Sequence, residues 1–300
     1  MKTRNLERYR GCLLGLAVGD AVGTTLEFKP RGSFPPLSDM LGGGTFGLQA
    51  GQWTDDTSMA LCLATSLVEK NGFDPLDQMQ RYLRWHDEGY LSSTGICFDI
   101  GSTTLQALER FRATGKAVSG STHPSSAGNG SLMRLAPVAL FYAPNQARAE
   151  TYAGKSSRTT HAAPECVHAC QVFAGMLVRA LNGEDKETIL LGGGAEQARP
   201  DKISAIARGE YREKTAQHIR GNGYVVDALE AALWCFWKSA SFADAILAAA
   251  NLGDDADTTA AICGQIAGAY YSLTGIPAAW LEKLWMRAEI SHLADRLAEH

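Results

Sequence analysis

Apolar side chains recur at three- and four-residue intervals through most of the chain, the spacing of one face of an α-helix. The pattern predicts helices over 5–22, 56–70, 75–88, 100–113, 131–142, 164–182, 225–238, 242–251 and 257–273. Start and stop signals agree. Asp74 precedes Pro75, an N-cap before a first-turn proline, and Ser241 precedes an apolar run with Asp244 three residues on. Gly72 and Gly275 stand where helices end. Alternating runs of strand length are scarce, so the expected fold class is all-α, a compact multi-helix domain.

Between these helices lie segments rich in glycine and polar residues: 29–53, 114–130, 191–200 and 217–224. Loops of this length inside a compact domain usually carry function or move. No linker divides the chain and no repeat of solenoid period is present, so residues 1–300 read as a single domain. Within it, 183–223 is the least hydrophobic stretch and reads as an insertion or lid. Gly192-Gly193-Gly194 lacks the strand context and the Gly-Lys-Ser/Thr ending of a phosphate loop, and is given no catalytic role.

A hydrophobic content of 45% over 300 residues is enough for a sizeable core. The formal net charge of -4 argues against general affinity for nucleic acid or anionic membrane, and leaves a small anionic ligand to local groups. Seven scattered cysteines (Cys12, Cys62, Cys97, Cys166, Cys170, Cys235 and Cys263) do not form a disulfide framework and fit a reducing cytoplasm. Arg4, Arg8 and Arg10 before GCLLGLAVG superficially resemble a secretory leader; Glu7 among the arginines and Asp20 at the end of the stretch favour a core helix. No run reaches the roughly 20 apolar residues that cross a bilayer.

Two acidic clusters change the picture. Thr54-Asp55-Asp56-Thr57 and Asp254-Asp255-Ala256-Asp257-Thr258 each open a helix of small and apolar residues. A lone Asp-Asp pair at a helix start is ordinarily a cap that complements the helix dipole. Two such pairs at the ends of buried helices would bring together carboxylates that repel and lose hydration. Neither motif contains lysine or arginine, so cations are the economical compensation. Carboxylate and hydroxyl oxygens are hard donors, favouring magnesium, manganese or calcium over zinc. Two divalent ions would balance Asp55, Asp56, Asp255 and Asp257, and ions about 3.5–4 Å apart can bind a substrate oxygen and activate water.

In order along the chain, GCLLGLAVGDAVG with Thr24 to Phe28, WTDDTSMAL at 53–61, FDIGSTT at 98–104, GNGSLMR at 128–134, Thr160-His161 and GDDADTTAAICGQIAGA at 253–269 resemble segments of the ADP-ribosylglycohydrolase family. The resemblance spans about residues 8–275. It implies an all-α fold, a binuclear site with two Mg2+ or Mn2+, and cleavage at the anomeric carbon of ADP-ribose. Family members act on ADP-ribosyl-arginine, as the dinitrogenase-reductase-activating type does, or on serine-linked or small-molecule ADP-ribose; others are structural. The expected substrate is an ADP-ribosylated protein, chiefly at arginine, or a small ADP-ribose conjugate, with neither nucleic acid nor membrane as partner. A noncatalytic ADP-ribose binder is the rival reading.

Carried over residue by residue, Thr54, Asp55 and Asp56 look like metal ligands from the first cluster, and Asp255, Asp257 and Thr258 from the second. Asp254 departs from the glycine of many relatives. Glu27 matches a glutamate near the metals and Asp99 an aspartate near the substrate ribose, and with Asp56 they form the expected catalytic group. As ordinary residues they would be a turn glutamate and a helix cap. Asn129, Gly130 and Ser131, on bare backbone entering a helix at about Ser131, are expected to bind the diphosphate, and His161 to contact the diphosphate or pack near adenine. Arg134 either neutralises phosphate or forms a structural ion pair. Gly42-Gly43-Gly44, Gly47 and Gly51 make a loop beside the metals. His168 reads as packing, His86 and His123 show no evident partner, and Tyr211 and Tyr224 are candidates to stack on adenine.

Overall fold

The computed structural model describes residues 5–192 and 200–300, and among these residues all extended regular structure is helical. The first half carries α1 (Leu6–Gly23), α2 (Asp55–Glu69), α3 (Pro75–Glu88), α4 (Ser102–Thr114), α5 (Ala136–Tyr142) and α6 (Gln146–Ser157). Then come α7 (Pro164–Leu181), α8 (Lys186–Leu191), α9 (Asp201–Ala207) and α10 (Val225–Lys238). The chain continues through α11 (Phe242–Ala250), α12 (Ala256–Tyr271), α13 (Ala278–Lys283) and α14 (Arg287–Ala298).

A glycine at every fourth position of α1 sets the architecture. Gly11, Gly15, Gly19 and Gly23 share one face and lie directly on Gly268, Gly264, Ala260 and Ala256 of α12. A Cβ on Gly15 or on Gly264 would overlap the other residue's carbonyl oxygen, so the two backbones touch. As the α1 positions rise, their α12 partners fall; the pair is antiparallel. The end of α1 is thereby held against the start of α12. Every residue of α1 from Gly11 onward is buried, so GCLLGLAVG is core, and the Arg8 side chain donates to the carbonyls of Ala180, Ala269 and Tyr270. Arg4 lies outside the described residues.

The other helices wrap this pair. α11, α10 and α7 pack on α12, while α2 and α14 pack on α1, with Arg10 on Asp295 at 2.7 Å. The hydrophobic period foretells the nine expected helices to within a few residues, with one exception: 131–134 is a turn in which the Asn129 carbonyl accepts from Leu132 and Met133, and the helix begins at Ala136. α6, α8, α9, α13 and α14 are additional. α6 buries only Ala149, Ala153, Gly154, Ser156 and Ser157, a face too small and polar to register as hydrophobic. Within 183–223, Ile189, Leu190, Ile203, Ile206, Tyr211 and Ile219 are buried in the common core. Gly193 and Gly194 lie outside the described residues, and Gly192 follows α8 as its cap.

Candidate metal centre and substrate cleft

The antiparallel pair converts two distant sequence motifs into neighbours. Asp20, one turn before the end of α1, is fully buried and acts as the hub. One of its carboxylate oxygens accepts from the amide and hydroxyl of Thr54 at 2.9 and 3.0 Å, the other from the amide and hydroxyl of Thr57 at 3.0 and 2.6 Å. The start of α2 is thus pinned to α1. Across to α12, the Thr54 hydroxyl lies 3.3 Å from an Asp257 oxygen, and the Thr258 hydroxyl donates to Asp56 at 3.3 Å. Asn129 donates to Asp255 at 2.7 Å. Oxygens of Glu27, Asp99 and Asp257 all lie within 4.8 Å of one another.

These carboxylates are short of partners. Glu27 Oε2, Asp56 Oδ1 and Asp257 Oδ1 are buried without a hydrogen bond. Burial raises Asp55, Asp56 and Asp257 well above the ordinary carboxylate range, reinforced chiefly by Asp99, Asp20 and Glu27 respectively. Burial likewise raises Glu27, with Asp99 the nearest like charge, and raises Asp99 and Asp255. Asp20 is pushed up to about 6 by burial, held there against four stabilising hydrogen bonds from Thr54 and Thr57. No lysine or arginine lines the adjoining cavity among the described residues. Orphaned buried oxygens of hard donor type, with no protein cation to answer them, are what a divalent metal site requires, and the residues present fit one.

The cavity holds about 610 Å³, the size of a nucleotide-scale ligand site. Glu27, Asp55, Asp99 and Asp255 form its acidic wall. Backbone adjoins it: Gly128, Asn129, Gly130 and Gly223 also line the cavity, with Asn129 N–H donating to the Gly223 carbonyl at 3.1 Å. Ser102, Thr103 and Thr104 add the first turn of α4, whose N-cap Gly101 supplies no side-chain acceptor. Its amide donors are therefore free for an anion.

His161 also lines the cavity, and its neighbours fix its state. The Arg134 guanidinium donates to Thr160 Oγ1 at 2.7 Å, which leaves the hydroxyl to donate to His161 Nδ1 at 2.8 Å. Burial, with the Arg134 charge, lowers His161 to about 3, so the ring is neutral and carries its proton on Nε2, against Gly128 and Gly130. Arg134 is fully buried on the Gly130 carbonyl, Thr160 and the Tyr82 ring; it does not line the cavity, and it makes no ion pair among the described residues. The Ser131 hydroxyl is turned into the core onto Ser157 and Cys170 and does not line the cavity. Tyr211 is buried and Tyr224 bonds Lys202 outside the cavity, so neither faces a ligand there. His86 and His123 bond Asp87 and Ser125 locally.

The structure brings together Glu27, Thr54, Asp55, Asp56, Asp99, Asn129, Gly130, His161, Asp255, Asp257 and Thr258. Sequence reasoning missed Asp20, whose signal was a lone carboxylate inside an apolar helix, and the α4 turn, whose signal was three small polar residues after an uncapped glycine. The glycine loop packs where expected: Gly42 accepts from Thr25, and Thr45 donates to the Glu27 carbonyl.

A sequence model of ADP-ribosylglycohydrolase matches residues 1–300. The chain belongs to the ADP-ribosylglycohydrolase family. It is 49% identical over 292 residues to a Pseudomonas putida (strain GB-1) protein named ADP-ribosylarginine hydrolase Tri1, covering 97% of this chain and 78% of that one. It is 32% identical to the ADP-ribosyl-[dinitrogen reductase] glycohydrolase of Rhodospirillum rubrum, covering 94% and 92%. A solved structure described as an ADP-ribosylglycohydrolase-related protein complex superposes with a TM-score of 0.88 at 43% identity over 98% of both chains. Family membership accords with the helical fold and the acidic centre derived above.

Proposed function

We propose that this chain is a metal-dependent hydrolase that releases ADP-ribose from modified arginine side chains on protein. The observation that carries the reading is the convergence of carboxylates from the turn after α1 (Glu27), the start of α2 (Asp55, Asp56) and the start of α12 (Asp255, Asp257) beside one cavity, with buried oxygens of Glu27, Asp56 and Asp257 left without a hydrogen bond. The name of the relative at 49% identity supports arginine as the acceptor. Two Mg2+ or Mn2+ ions, held by Thr54, Asp55, Asp56, Asp255, Asp257 and Thr258, would supply charge neutralisation and polarisation of water and ribose hydroxyls. Backbone amides of the α4 turn and of Gly128 and Gly130, with His161 Nε2–H, receive the diphosphate and adjoining groups. The acidic wall suits the positive charge that builds on the anomeric carbon as its bond to nitrogen breaks. Glu27 and Asp99 share the proton traffic: water loses a proton as its oxygen bonds to that carbon, and the departing guanidine nitrogen gains one. The free thiols, six of them buried, accord with a cytoplasmic enzyme.

The test is release of ADP-ribose from arginine-modified protein with Mg2+ or Mn2+, and again after exhaustive chelation. Metal-restored release is expected. Undiminished release in chelator would sink the metal role; cleavage confined to serine-linked or small conjugates would replace arginine as the acceptor. Binding of ADP-ribose with no turnover of any conjugate would make the chain a noncatalytic relative.

A further inference from the structure

Two exposed residues that line the cavity are joined through their backbones in conformations that their residue types rarely adopt. Phe28 has φ 61° and Asp254 has φ 54°. They come from opposite ends of the sequence and are locked together. Phe28 N–H donates to the Asp254 carbonyl at 2.7 Å, and Asp254 N–H donates to the Lys29 carbonyl at 2.8 Å. Both residues line the cavity. Phe28 is 62% exposed, yet its ring is braced edge-on by Phe46, centroids 6.4 Å apart, and Phe46 in turn by Phe98 at 5.1 Å. A left-handed phenylalanine persists only where the surroundings over-determine it. Here the backbone bonds do so, and they hold an exposed aromatic ring and an exposed carboxylate on the lining of one cavity.

We propose that Phe28 and Asp254 clamp the acceptor side of the scissile bond, reading the planar cation of an ADP-ribosylated arginine; this rests on the arginine reading above. A guanidinium is attracted to the face of an aromatic ring and to a carboxylate beside it. The modified arginine keeps its positive charge, and with the ribose directed toward the acidic wall its guanidinium is the part left for the exposed lining. A serine-linked conjugate offers no charge and no plane for the pair to grip. The clamp therefore discriminates between acceptors without touching ADP-ribose itself. Phe28 and Asp254 are specificity determinants, distinct from the buried carboxylates that carry the chemistry.

The experiment compares wild type with Phe28→Ala, Phe28→Leu, Phe28→Tyr and Asp254→Gly. Glycine adopts φ 54° without strain, so the last variant removes the carboxylate while relaxing the backbone. For each, kcat/KM is measured on ADP-ribosyl-arginine, and Kd for free ADP-ribose and for Mn2+ by calorimetry. Phe28→Ala, Phe28→Leu and Asp254→Gly are expected to lose about 5- to 30-fold in kcat/KM. Phe28→Tyr keeps the ring and should stay near wild type. ADP-ribose and Mn2+ affinities should hold within about twofold across the set. Equal losses in ADP-ribose affinity, or full activity of Phe28→Leu, overturns the clamp while leaving the arginine reading intact. A wild type inert on ADP-ribosyl-arginine overturns both.

Discussion

Asp20 shows how much one side chain can hold without touching a ligand. Its four accepted hydrogen bonds orient Thr54 and Thr57, and through them the carboxylates of Asp55 and Asp56. Outer partners of metal ligands typically matter by about 10–100-fold in affinity or activity. Asp20→Asn, which turns an acceptor into a donor against those N–H groups, should weaken Mn2+ binding by about that factor with the helical circular dichroism intact. Asp257→Ala should abolish turnover and metal binding, yet leave the metal-free protein no less stable, because the lost carboxylate is buried among like charges with one oxygen unbonded. An unfolded Asp257→Ala protein would contradict the electrostatic account. Thr160→Val, which severs Arg134 from His161, frees the ring to take the other tautomer and should raise the Kd for ADP-ribose several-fold; an unchanged Kd in calorimetry would remove His161 Nε2–H from the binding scheme. The acidic cluster was legible because carboxylate pairs at two helix starts are odd in any sequence. Asp20, Thr57 and the true surroundings of Ser131 and Arg134 were not. Which way a side chain turns depends on the neighbouring helix, and Arg134 has the composition of a phosphate ligand but the position of a core residue.

Among elements, the decisive object is the α1–α12 pair. Its closeness depends on glycine at both Gly15 and Gly264, and a methyl group at either must push the backbones apart. Overpacking of this kind costs about 1–3 kcal/mol. Gly264→Ala should therefore lower the melting temperature and, because the displacement separates Asp20 and Glu27 from Asp255 and Asp257, weaken Mn2+ binding too. A lowered melting temperature with undisturbed metal affinity would show that the centre tolerates the shift. The long apolar helices were readable from their period. α6 was not, since its buried face of alanine, glycine and serine carries no hydrophobic contrast; α14 was readable in principle through Ile290, Ala294 and Leu297. The glycine spacing in α1 was visible as letters, but nothing in one sequence says that its partner lies some 250 positions away.

For the molecule as a whole, the centre ties stability to pH and to metal together. Folding raises the carboxyls of Asp55, Asp56 and Asp257 above their unfolded values. The folded state then binds more protons than the unfolded one, so without metal the cluster destabilises the protein at pH 8 and does so less as pH falls toward 5. Divalent cations compete with those protons. Calorimetric melting should show a larger gain from Mg2+ or Mn2+ at pH 8 than at pH 5.5, near 2.7 kcal/mol at about 100 times Kd. Equal gains at both pH values would mean that the cations bind elsewhere.

The pairing of α1 with α12 also bears on biosynthesis. A ribosome makes Asp20, Asp55 and Asp56 early and Asp255 and Asp257 late. Until α12 emerges, α1 exposes a bare glycine seam, and the nascent protein owns only half of its acidic cluster. Competence therefore arrives in a single late event, when the final long helix docks along the first.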